Sequence, residues 1–143
     1  MYPSHEKDVY GWAVHTAQLL REKKMNEVDF DGIVEELEEM GISNKHALIS
    51  RLTLVISHLL KWQFQPNMRG HSWTYTIRAQ RKKASYVLDD NPSLKSKLDE
   101  IIAKAYKVAI DEATDQTGLD EKTFPAQCPY TFDQIMNDEF YPE

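Results

Sequence analysis

Residues 51–66, RLTLVISHLLKWQFQP, decide the fold. At 100° per residue, Leu52, Val55, Leu59 and Trp62 fall in one direction together with Leu48 just upstream. Ile49, Ile56 and Leu60 widen that surface on one side, and Leu54 lies beyond Arg51 and His58 on the other. Only His46, Ser50, Thr53, Ser57 and Lys61 read as a solvated strip. A helix apolar almost all round is a central, buried one. It predicts an all-α protein built around residues 43–64, with Ser43 as N-cap and Pro66 ending it.

Working outward, apolar spacing and caps predict four more helices. The first runs from about Ser4 to Lys24, with Val9, Ala13, Thr16 and Leu20 at helical spacing and Trp12 and Leu19 beside them. A short second helix is capped by Asp29 or Asp31, carries Ile33, Leu37 and Met40, and stops at Gly41 in the left-handed region. Ser72 caps a fourth, to about Asp90. Asn91 caps a fifth with Pro92 at its first position, and Gly118 ends it. No alternating run argues for a strand. The last stretch, TFPAQCPYTFDQIMNDEFYPE, is too apolar for a free tail and predicts an irregular aromatic cover with one helical turn over Phe132–Met136. The expectation is a compact bundle of about five helices forming a single domain over 1–143.

Arg51 and His58 fall inside the apolar arc of the central helix, and Arg81 inside that of the fourth. A buried guanidinium needs acceptors, because a stranded charge costs about 3 to 5 kcal/mol. Residues 44–86 contain eight basic and no acidic side chains, while residues 1–43 hold ten acidic and four basic, and residues 87–143 hold thirteen and five. The carboxylates must therefore come from the flanks. Glu36 of EELEE, Asp8 and Glu112 are best placed, and the expectation is a polar layer of Arg51, His58 and Arg81 on such carboxylates. Either the basic middle is neutralised by the flanks inside the fold, which the net charge of −6 favours, or it faces an acidic partner.

Motifs for chemistry are missing. No His has Glu three residues before it, so the di-metal bundle pattern is absent. H-E-x-x-H, the P-loop, the dinucleotide glycine pattern and a nucleophile elbow are absent as well. No cofactor or metal is called for, and His58 reads as structural before catalytic. The lone Cys128 has no partner for a disulfide and no neighbouring base to activate it. No signal peptide or run of about 18 apolar residues is present, so the expected setting is cytoplasmic, away from membranes.

Six blocks in order, EKDVYGWAVHTAQLLRE, VEELEEMG, RLTLVISHLLKWQFQP, SWTYTIRAQR, NPSLK and TGLDEKTFPAQCPYTFDQI, resemble the bacterial domain-of-unknown-function family numbered 29. The likeness covers about residues 5–142. HLLKW with its proline and the FP…CPY tail are its most specific parts, and Gly11 and GISNK depart mildly from it. The resemblance implies a compact helical protein and supplies no activity, cofactor or catalytic residue.

Two functional expectations remain. The first is a protein-interaction module without catalytic activity, self-associating as a homo-oligomer, since surplus aromatics can seal a core or line an interface. The second is a nucleic-acid binder. On the fourth helix Tyr75, Lys82 and Tyr86 share an outer face flanked by Arg78 and Lys83, with Arg69 in the loop before it, so cations alternate with rings able to stack on bases.

Overall fold

A computed structural model describes residues 2–143. Among them are five α-helices and no strand: α1 (Val9–Arg21), α2 (Phe30–Phe64), α3 (His71–Asp90), α4 (Leu98–Thr117) and α5 (Phe132–Met136). The chain is all-α, as its periodicity predicts. It divides into two compact units, Met1–Ile42 and Ser43–Glu143.

The main departure from expectation is that the second and third predicted helices are one. Gly41 does not stop the helix, and Ser43 does not cap a new one; α2 runs through both for 35 residues. Glycine inside a helix costs only about 1 kcal/mol relative to alanine, too little by itself to break one that continues on both sides. No proline stands nearby to force the break, and the apolar stripe stays in phase: Phe30, Val34 and Leu37 point the same way around the helix as Leu48, Leu52 and Val55.

In the first unit, Asp8 caps α1 by accepting from the Gly11 N–H at 2.9 Å, and Asp29 caps α2 by accepting from Gly32 N–H at 3.0 Å. Trp12, Thr16 and Leu19 are its buried side chains. Gly32 lets α1 approach, since a Cβ there would stand 2.8 Å from the Trp12 ring. Val9, Ala13, Leu20, Leu37 and Met40, read from sequence as core, are exposed.

In the second unit, Leu48, Leu52, Val55, Ile56, Leu59 and Leu60 are sealed from solvent among side chains of α3, α4 and the C-terminal segment. The solvated strip expected on α2 is a second correction, because Thr53, Ser57 and Lys61 are buried. The hydroxyls satisfy themselves on their own helix, Thr53 donating to the Ile49 carbonyl at 2.7 Å and Ser57 to that of Leu54 at 3.2 Å. Short side chains face them on α4, where Ala105, Ala109 and Ala113 are fully buried. The fourth predicted helix starts at His71 behind Gly70, not at a Ser72 cap. Pro92 opens a 3₁₀ stretch to Lys97 before α4 begins, and Gly118 ends α4 at φ 73°.

The C-terminal segment is the aromatic cover that its composition predicts. Phe124 meets Phe64 edge-on, Tyr141 packs against Trp62 and Phe140 against Tyr130. Its helical turn, α5, is fixed by a capping box in which Thr131 and Gln134 satisfy each other's backbone N–H.

Candidate functional site

The predicted polar layer does not exist as a carboxylate layer. Arg81 is 2% exposed and donates to three backbone carbonyls of the C-terminal segment: Nε to Ile135 at 2.7 Å, Nη2 to Phe140 at 2.8 Å and to Gln134 at 3.3 Å. The Tyr141 ring lies under its guanidinium. Its Nη1 has no acceptor. Arg51 donates to the Gln80 amide oxygen at 3.3 Å. His58 Nδ1 lies 2.9 Å from the Leu54 carbonyl, which only accepts, so Nδ1 carries the proton and Nε2 takes the Lys61 ammonium as donor. Burial, then the neighbouring ammonium, pushes the His58 pKa down.

Two of the three carboxylates expected there are engaged elsewhere. Asp8 is the cap of α1, and Glu36 accepts from His5 Nε2 at 2.6 Å, which holds the His5 pKa above its ordinary value. A buried Glu112 oxygen has no hydrogen-bond partner. The physical reason is that the end of α5 and the chain beyond it present carbonyls not used up by a helix ladder, so a guanidinium finds neutral acceptors without a second buried charge. Of the eight cations between 44 and 86, only Lys45 has a carboxylate within ion-pair distance among the described residues, on Glu100. The basic middle is not spent on ion pairs.

Lys61 is the buried group that sequence reading missed. It donates to Gln116, lies over the Trp73 ring, and burial lowers its pKa. The signal available was its place four residues after Ser57 and eight after Thr53, on a strip that holds no acidic residue.

The proposed nucleic-acid face separates into two parts. Tyr75, Arg78, Lys82, Lys83 and Tyr86 are all exposed on α3. Arg69 is not with them: it donates from Nε to the Trp62 carbonyl at 2.8 Å, stacks on the Trp62 ring and reaches the Pro142 carbonyl, pinning the chain end to the loop.

A cavity of about 730 Å³ opens between α4 and the C-terminal segment, lined by Leu98, Ile102, Tyr106, Cys128, Tyr130 and Phe132. Two of its polar groups, Tyr106 and Cys128, are bonded to backbone carbonyls. Tyr106 donates to the Pro125 carbonyl at 2.6 Å, with its pKa pushed up to about 12 by burial, and burial raises the Cys128 thiol likewise. Neither is poised to attack a substrate. Among the described residues no three His, Cys, Asp or Glu side chains stand where they could hold a metal ion, and no helix is long and apolar enough to cross a membrane.

The feature with the largest unmet physical demand is in the first unit. Of the fifteen large hydrophobic side chains exposed among the described residues, eleven lie there. On α2, Phe30, Val34 and Leu37 stand 53%, 52% and 60% exposed, continuing the stripe that Leu48 and Leu52 bury further along. On α1 Tyr10 and Val14, opposite Trp12 and Leu19, and Val9 beside the buried side are open. This unit carries ten acidic and four basic residues, whereas residues 43–143 hold thirteen of each, so the whole net charge of −6 resides in the first unit.

No curated protein and no solved structure matches this chain. The family model described as Domain of unknown function DUF29 matches residues 4–141, nearly the entire length, and with the helical order above it places this chain in the DUF29 family.

Proposed function

We propose that this protein is a protein-interaction module that works through the apolar faces of its first unit, not an enzyme. One observation carries the reading: eleven large apolar side chains exposed within 42 residues. Single exposed hydrophobics are ordinary on any surface, whereas ones that share a helix face, as Phe30, Val34 and Leu37 do, mark sites that another surface covers. The test compares the wild-type chain with a Val34→Glu/Leu37→Glu variant as tagged baits in native cells. Both side chains project into solvent, so helicity should be unchanged by circular dichroism. The wild type is expected to retain bound protein that the variant loses, and equal recovery on both baits would overturn the reading.

A second reading has its own support. Tyr75, Arg78, Lys82, Lys83 and Tyr86 form an exposed basic and aromatic face on α3 without one carboxylate among residues 44–86. That composition suits single-stranded nucleic acid. Binding of a labelled oligonucleotide should fall steeply with salt and be abolished by Lys82→Glu/Lys83→Glu; a flat salt response rejects it.

A further inference from the structure

We infer that the apolar face of α2 in the first unit is covered by the basic aromatic face of α3 from a second copy of this chain. The inference rests on the interaction-module reading and names its occupant.

Charge selects that occupant. Around the helix, Phe30, Val34 and Leu37 are bordered by Asp31, Glu35 and Glu38, all exposed. Only Glu35 has a cationic neighbour among the described residues, His5 at 3.6 Å, and that imidazole is already held by Glu36. Pairing this face with the same face of another copy would set acid against acid, and an anionic membrane surface meets the same repulsion. A covering surface must combine apolar area with positive charge. The α3 face has that composition: Tyr75 and Tyr86 offer rings exposed by 63% and 55%, and Arg78, Lys82 and Lys83 have no carboxylate within ion-pair distance among the described residues. Lysine and arginine stems lie along apolar surface while their heads reach outward, which is the direction of the acidic border.

Each copy carries both faces, and the arrangement proposed is a reciprocal exchange, a two-fold dimer in which the α3 face of each copy covers the α2 face of the other. It also uses what the fold leaves over, a unit of net −6 and a basic helix face with no internal ion pairs.

Sedimentation of the full-length chain tests this at about 0.1 M and about 1 M salt, where the screening length falls from roughly 10 Å to roughly 3 Å. The expected result is a dimer weakened by about tenfold or more at high salt. Leu37→Glu should give a monomer with unchanged helicity. Lys82→Glu/Lys83→Glu and Glu35→Lys/Glu38→Lys should each weaken the dimer by about tenfold, and the four changes together should restore it to within a few fold. Thermal midpoints of every variant separate loss of contact from loss of fold. A wild-type monomer at high micromolar concentration overturns the proposal, as does a dimer that Leu37→Glu breaks but Lys82→Glu/Lys83→Glu leaves intact, or a fourfold variant that fails to recover. A monomeric chain whose protein capture still depends on Val34 and Leu37 refutes the second copy as occupant and leaves the interaction-module reading standing.

Discussion

Arg81→Ala is the perturbation on which the account of the second unit depends. The side chain ties α3 to the C-terminal segment by three hydrogen bonds to carbonyls at 2.7, 2.8 and 3.3 Å. The bond to Ile135 is wholly buried, so truncation strands that carbonyl at a cost of roughly 1 to 3 kcal/mol. The Gln134 and Phe140 carbonyls are partly open and recover water, losing about 0.5 kcal/mol each. Removing the stem from under the Tyr141 ring leaves a cavity worth roughly 1 to 2 kcal/mol. Relief of the guanidinium's own desolvation offsets part of this, so the net loss is on the order of 3 kcal/mol. With a urea slope of about 2 kcal/mol per molar, the midpoint should fall by about 1.5 M. Arg51→Ala is the control, since Arg51 is only half-buried and bonds one amide oxygen at 3.3 Å; it should cost under about 1 kcal/mol. Limited proteolysis of the Arg81 variant should cut first within residues 131–143. A midpoint change under about 0.3 M would refute the assignment of those carbonyls as the acceptors that hold the segment.

Two glycines of α2 should respond to alanine with opposite signs. Gly41→Ala, where a Cβ meets nothing within 4 Å, should stabilise by about 0.5 to 1 kcal/mol in a melt, because a helical glycine gives up more chain entropy than alanine. Gly32→Ala sets a Cβ at 2.8 Å from the Trp12 ring and 2.6 Å from the Asp29 carboxylate, so overpacking of about 1 to 3 kcal/mol should outweigh the propensity gain and shift Trp fluorescence. Two histidines should bound stability in pH from opposite sides. The Glu36 partner raises the His5 pKa above 6.5, so its contribution is complete below that value and lost as pH rises through the raised one; His5→Gln should flatten the alkaline side of a thermal-midpoint profile. Burial lowers the His58 pKa, so its contribution is complete above 6.5 and lost as pH falls through the lowered value; His58→Gln should flatten the acid side.

Helix existence was legible wherever one side of a helix is buried against its own chain. Leu48, Leu52, Val55 and Leu59 predict the core of the second unit, and the capping pairs at Asp29 and Gly118 mark real ends. The turn expected at Gly41 illustrates how little a lone glycine decides. Its left-handed role needs a chain that turns away, and nothing around GISN makes it turn. The partners of Arg81 were illegible for a different reason. Sequence shows which side chains carry opposite charge, but the acceptors here are backbone carbonyls of α5 and the chain after it, and every residue supplies one of those. The same holds for Lys61, whose burial depends on a neutral amide in α4 and an indole in α3.

Apolar periodicity states that a face leaves water; it does not state what covers it. Within α2 one continuous stripe receives two answers, for its later turns are sealed by α3, α4 and the C-terminal segment, and in its first turns Phe30, Val34 and Leu37 stand exposed. Reading both halves as core placed Leu37 and Met40 inside, although they stand 60% and 61% exposed. Charge separates the two halves where hydrophobicity cannot. The residues that fold around the buried half are balanced at thirteen acidic and thirteen basic, whereas the unit bearing the open half keeps an excess of six carboxylates. A surface that is at once apolar and acid-bordered disfavours its own copy face to face and attracts cations, so on the proposal above sign selects the partner before shape is considered. For that reason the charge-reversal pairs at Glu35, Glu38, Lys82 and Lys83, more than truncation of any apolar residue, distinguish a specific partner from general stickiness: stickiness survives reversal of both signs and of either alone, and a matched interface survives only both.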